Sequence, residues 1–273
     1  MSATIDNAHR QTSRSDEFLD LAHAFLISQR ATAVVDRIKT PVDNRRPVVS
    51  ALKLYNAGGG AISCGIGPEY EYSRWNAGTW DDAAGGDDYT DASIAAQNET
   101  ADDFTLNVTG TNNDGHVILC KDLWSACHYV VGTASGAGSV EEYMYFNGSA
   151  WAALTTLNEP DFSATGITHL LFEPPEAWAL TTAIAPGEGV PADYYAIRVR
   201  STTAPAAPSA LASYLRIGHP LEFGFYDVPA GGRGSYEGYP IAAMCRDGEG
   251  LMSAFGTHTS GNGILVAGED YLL

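Results

Sequence analysis

Two hydrophobic periods divide this chain. From Asp16 to Asp36, "DEFLDLAHAFLISQRATAVVD" sets Phe18, Leu21, Phe25 and Leu26 at helical spacing, with Ser15 or Asp16 as N-cap and acids in the first turn. The spacing predicts one amphipathic helix whose short stripe needs a partner surface. From Pro47 onward the period drops to two, in short runs broken by Gly, Asn, Asp and Pro. Strands are expected at "VVSALKLY" (48–55), "FTLNV" (104–108), "HYVV" (128–131), "THLLF" (168–172), "YYAIRVR" (194–200), "YLRI" (214–217), "EFGFY" (222–226) and "GILVA" (263–267). In "FTLNV", Phe104, Leu106 and Val108 are expected to face a core. In "YYAIRVR", Tyr195, Ile197 and Val199 face inward, while Arg198 and Arg200 face out. The predicted class is all-β, an antiparallel β-sandwich behind a partly helical N-terminal arm. The expected divisions are an arm over 1–46, the sandwich over 47–203, and a linker with a β-rich extension over 204–273.

The stretch "EEYMYFNGSAW" (141–151) reads as a hairpin. A two-residue Asn147-Gly148 turn would place Phe146 opposite Ser149, Tyr145 opposite Ala150 and Met144 opposite Trp151. Met144, Phe146, Trp151 and Ala153 then share one face, suited to a core. Tyr143 and Tyr145 fall on the other face, which is either a contact surface or a second layer of the same sandwich.

Charge changes the picture. The formal net charge is −18, which opposes binding to phosphate backbones or anionic lipid, so nucleic acid and membranes are not expected partners. Residues 1–53 carry eight of the 15 Lys and Arg against six acids, leaving seven bases and 27 acids for the rest. A weakly basic head on an acidic body reads as an anchoring arm or as an ordinary solvated leader. No stretch reaches the length of a membrane span, and "MSATIDNAHRQTSRSDE" lacks a signal-peptide apolar segment, so synthesis and retention in a cytoplasm are expected. Cys64, Cys120, Cys127 and Cys245 have no zinc-type spacing and are expected as reduced, buried thiols.

The usual catalytic spacings do not occur. There is no H-E-x-x-H, no G-x-S-x-G elbow, no Walker loop and no dinucleotide fingerprint. The acidic run at 81–103 holds eight acids and no base, but lacks the D-x-D-x-D-G order of a calcium loop and reads first as a solvated loop. Glu141, Glu142, Glu173 and Glu176 lie near aromatics without any spacing that marks a glycosidase pair. No catalytic residue, metal site or cofactor is therefore expected.

The order "EEYMYFNGSAWAAL", "FSATGITHLLFEPPEAW", "ADYYAIRVR" resembles a module of virion structural proteins of tailed bacteriophages. Tyr145, Asn147, Gly148 and Trp151 match its hairpin. Thr165, Gly166, Phe172, Pro174, Pro175 and Trp178 match its middle stretch, and Tyr194, Tyr195, Ile197 and Arg198 its last strand. The match covers roughly the residues from Ala101 to Arg200, and the leader and the chain past Ala210 lie outside it. The resemblance implies a jelly-roll-like β-sandwich displayed on a phage particle as a decoration, cement, fibre or baseplate component, and the leading reading is one that decorates or cements the capsid. The implied partners are the major capsid protein and copies of the chain in a homotrimer or other symmetric oligomer. On that reading Phe18, Leu21, Phe25, Leu26, Arg30, Arg37, Lys39, Arg45 and Arg46 are the candidate anchor, and Tyr143, Tyr145, Arg198 and Arg200 the candidate contacts between subunits. The alternative is a tail fibre or baseplate component that stacks Trp75, Trp80, Trp124, Tyr143 and Tyr145 on a host glycan. A polysaccharide-degrading enzyme on the same kind of scaffold is the third reading.

Overall fold

The computed structural model describes residues 22–30, 35–39, 45–56, 58–83, 86–99, 102–182, 189–223, 225–237, 243–246, 248–255 and 263–272. They form an antiparallel all-β sandwich, as the period-two runs predict, in three sheets. Strands are numbered in chain order. The six-stranded sheet runs β11 (Trp151–Ala153), β10 (Val140–Phe146), β14 (Tyr195–Thr203), β8 (Gly115–Cys120), β5 (Trp75–Ala83) and β6 (Gly86–Asp91). The nine-stranded sheet runs β12 (Thr156–Asn158), β13 (Gly166–Phe172), β9 (Ala126–Thr133), β15 (Leu211–Gly218), β4 (Ile62–Glu69), β19 (Gly250–Phe255) and β2 (Val35–Lys39). Off that path, β7 (Phe104–Thr105) pairs β15 and β16 (Phe225–Val228) pairs β4. The five-stranded sheet runs β1 (Ala22–Arg30), β20 (Gly263–Leu272), β3 (Arg45–Tyr55) and β17 (Arg233–Glu237), with β18 (Ala243–Met244) also on β3.

Two cores follow from this arrangement. The larger lies between the six-stranded sheet and one half of the nine-stranded sheet, where Trp75, Ile118, Tyr143, Ile197 and Val199 meet Tyr129, Leu170, Phe172, Leu215 and Ile217. The smaller lies between the five-stranded sheet and the other half, where Val49, Leu52, Leu54 and Val266 meet Cys64, Ile66 and Leu251. One long sheet thus serves two sandwiches. A register shift opposite Ser50 resets the alternation of β3, so that Val49 and Leu52 are both buried although they are three residues apart.

The helix expected over 16–36 is not what the described residues form. Ala22–Arg30 is a strand paired in full register with β20, from Ala22↔Tyr271 to Arg30↔Gly263, and Val35–Lys39 pairs with β19. An extended backbone repeats every two residues, not the 3.6 on which the helical spacing rests. Pairing with the edge of β20 overrides a local preference that is weak by comparison. Phe18 and Leu21 lie outside the described residues. The chain past 204 likewise enters the sheets: β15 sits between β9 and β4, and "YLRI" and "GILVA" fall in β15 and β20.

The hairpin also differs from its expected register. Phe146 pairs with Trp151, Tyr145 with Ala152 and Met144 with Ala153, which leaves a four-residue loop. Asn147 organises it. Its Oδ1 accepts the N–H groups of Ser149 and Ala150, and its own N–H donates to the Ala150 carbonyl. A shift of two residues preserves the faces, so Met144, Phe146, Trp151 and Ala153 do share one. It is Tyr143 and Tyr145, however, that point toward the large core. The acidic run is not a plain loop either, since it supplies the end of β5, all of β6 and a short helix, Ser93–Gln97.

Candidate functional site

A cleft of about 380 Å³ opens where the two sandwiches meet. Its walls come from segments far apart in sequence: Pro68 in β4 and Tyr70 after it, Lys121 to Leu123 between β8 and β9, Tyr195 on β14, His219 and Glu222 after β15, and Arg246 and Glu249 before β19. Clefts at such junctions are the usual place for a ligand. Asp122 is the hub, with Arg74 Nη2 3.3 Å from one oxygen and Arg246 bonded to the other. Glu249, 4 % exposed, accepts the Arg246 N–H at 2.6 Å and lies 3.7 Å from Arg74. Gly248 makes this turn possible. Its φ is +78°, and a Cβ there would stand 2.7 Å from a Glu71 carboxyl oxygen.

Burial governs the titration of the cleft. It raises the Glu249 carboxyl, against the opposing pull of the Arg246 N–H and of the Arg74 and Arg246 guanidiniums. It raises Glu222 too, which Arg246 partly offsets. It lowers His219 to about 4, so that imidazole is neutral at pH 7 with Nδ1 2.9 Å from Ser125 Oγ. Tyr70 is pushed up by burial and donates to the Leu123 carbonyl at 2.6 Å. The carboxylates of Asp122 and Glu249 are thus committed to two guanidiniums. The arrangement fastens the loop before β19 to the loop after β8, and Glu222, Lys121 and Tyr195 remain on the rim. A second cleft of about 320 Å³ is lined by Ser135, Ser139, Glu141, Asp161 and Ser163. Its Glu141 accepts Asn107 at 3.2 Å and also Ser139. Among the described residues no group of three or more His, Cys, Asp or Glu is placed to hold a metal, and no helix is long and apolar enough to cross a membrane.

The residues expected at contacts between subunits, Tyr143, Tyr145, Arg198 and Arg200, all make contacts within the chain. Tyr143 is 6 % exposed and belongs to the large core, with Tyr145 packed against it. Arg198 is 4 % exposed. Its guanidinium carbon sits 4.8 Å from the Trp80 ring and 4.9 Å from the Trp151 ring, with Nη2 3.1 Å from Met144 sulfur. The reason is a second packed layer on the outer face of the six-stranded sheet, made by Trp80, Val117, Leu119, Phe146, Val190 and Ala196 under Tyr89, Trp151 and Tyr194. Gly78 admits it, because a Cβ there would strike the Tyr89 ring at 2.2 Å. Arg200 is half-buried and bonds Glu142 within the chain, Nε and Nη2 at 2.8 and 2.7 Å.

Of the candidate anchor, Phe25, Leu26 and Arg30 lie in β1, Arg37 and Lys39 in β2, and Arg45 and Arg46 open β3. Trp75, Trp80 and Trp124 are all buried, which removes them from any stacking platform for a glycan. The four cysteines are free and buried; burial raises Cys64 and Cys127, and pushes Cys120 up to about 12. Sequence reasoning missed the cleft because its members come from five separate segments with no shared spacing. Comparison with protein families, with curated proteins and with solved structures finds no match to this chain.

Proposed function

We propose that the chain is a non-enzymatic structural protein of a tailed-phage particle, a decoration or cement subunit held on the capsid surface by the major capsid protein and by symmetric contacts with its own copies. The observation that supports this reading is the way the residues of the sequence resemblance pack. The hairpin, the middle stretch and the last strand converge on Trp178, whose ring lies 5.6 Å from Phe172 and 5.4 Å from Tyr195, and whose Nε1 donates to the Ala196 carbonyl at 3.2 Å. The Ala179 N–H donates to Phe146 at 3.0 Å and closes the hairpin against the same unit. Pro174 and Pro175 end β13 and turn the chain over the open end of the core, where Trp178 meets Trp124 at 5.7 Å. Residues separated by tens of positions therefore pack as one module.

The test uses particles of the phage that encodes the chain. Full-length protein and a form lacking residues 1–21 are mixed with particles stripped of it and followed by co-sedimentation and negative-stain imaging. A cut at residue 46 is unsuitable, because β1 and β2 would go with it. The expected result is decoration of the shell by the full-length chain, with binding weakened by the truncation if the leader is the anchor. Failure of the full-length chain to bind any capsid overturns the proposal.

A further inference from the structure

The Asn-Gly pair at the tip of the β10–β11 hairpin carries a chemistry that a structural role does not use. The fold requires glycine at 148 for two reasons. Its φ is +95°, and a Cβ there would stand 3.2 Å from the Ala179 side chain. Asn147 shapes the loop around it, its Oδ1 accepting three donors: Ser149 N–H at 3.0 Å, Ser149 Oγ at 3.0 Å and Ala150 N–H at 2.9 Å. Those donors polarise the side-chain carbonyl and stand where negative charge would collect on its oxygen during attack at Cγ. Among the described residues neither the Gly148 N–H nor Asn147 Nδ2 is engaged in a hydrogen bond, so the nucleophile and the leaving group are both unspent. Gly148, Ser149 and Ala150 are exposed to water and hydroxide.

We infer that Asn147 is a self-modification site, converting in the folded protein through a cyclic imide to aspartate and isoaspartate. Hydroxide removes the Gly148 amide proton, the nitrogen bonds to Asn147 Cγ, and the Cγ–Nδ2 bond breaks to release ammonia, which takes its proton from water. Water then opens the ring. Cleavage of the nitrogen–Cγ bond gives aspartate, and cleavage at the Asn147 backbone carbonyl gives isoaspartate, with one more methylene in the main chain. No oxidant or cofactor enters. The product carries a new carboxylate in place of an amide, and the isoaspartate form lengthens a loop that sets the Phe146↔Trp151 pair and, through Trp151, the Arg198 stack.

The test incubates the full chain, folded and urea-unfolded, in mildly alkaline buffer for the period in which the unfolded chain converts half of its Asn147, with peptide mapping and ammonia release as readouts. The folded chain is expected to convert a comparable fraction, at a rate proportional to hydroxide, with a change in tryptophan emission as isoaspartate accumulates. Asn147→Gln, whose longer side chain would need a six-membered ring, is expected to stop conversion at this site while leaving the fold intact by circular dichroism. A folded-state rate more than roughly tenfold below the unfolded one, a barrier raised by over ~1.4 kcal/mol, overturns the inference and makes the loop a lock on the amide.

Discussion

His116 is a fully buried titratable group beside the large core. Its Nδ1 bonds the Leu106 carbonyl at 2.8 Å, its Nε2 lies 3.1 Å from the Tyr129 hydroxyl, and it packs edge-on to Phe104 and Phe162. Burial lowers it from 6.5 to about 4. As pH falls from about 6.5 to about 4 the unfolded chain binds this proton first, so stability falls, by about 3 kcal/mol at full effect. His219 acts in the same direction. Glu222 and Glu249 oppose it, because their raised folded values let the native state take up protons earlier as pH falls. Urea unfolding across this range is expected to show a shallower slope for His116→Gln than for the parent, and parallel curves would remove burial of His116 as the cause. Arg198 supports a second prediction. Arg198→Ala empties a slot between two indoles and is expected to cost about 3 kcal/mol in urea unfolding, with Arg198→Met, which fills the slot without the charge, closer to the parent.

At the scale of elements, the period-two runs were legible wherever one face meets a core. "VVSALKLY", "HYVV", "THLLF" and "YLRI" all lie within strands. What alternation cannot carry is how many faces of a sheet are covered. Arg198 reads as an outward charge because Ile197 and Val199 face in, yet the outer face of β14 has its own layer, so both sets are buried. The hairpin shows a similar limit: Asn147 marks the turn, but its side chain, by satisfying two backbone donors, selects a four-residue loop over a two-residue one. The stretch at 22–30 fails for a different reason. Its i, i+3, i+4 apolar spacing suits a helix locally, and the decisive partner, β20, lies at the far end of the chain. The cleft was illegible on the same ground, since Asp122, Glu222 and Glu249 meet only after β8, β15 and β19 are placed.

Across the whole molecule, the nine-stranded sheet joins the two cores into one structure. β15 is its middle strand, bonded to β9 over most of its length and touching β4 at Gly218↔Glu69. A chain ending at residue 203 would lose β15 together with β16 to β20, leaving β4 without β19 and the large core without Leu215 and Ile217. Such a truncation is expected to give an aggregated product with no cooperative melting transition. A cooperative melt and dispersed amide spectrum would show instead that the six-stranded sheet and its partner strands suffice.

The pairing of Ala22 with Tyr271 sets a timetable for the molecule's synthesis. A ribosome delivers β1 before every other described strand and β20 after them, so the early strand waits through their synthesis with its hydrogen-bonding edge unmatched. The five-stranded sheet closes only once β20 has been made, through the contacts of largest sequence separation among the described strands, and such contacts form slowly. Delivery of β20 is therefore the step that completes the five-stranded sheet, and a copy terminated before it retains an open strand edge by which it differs from one that has it.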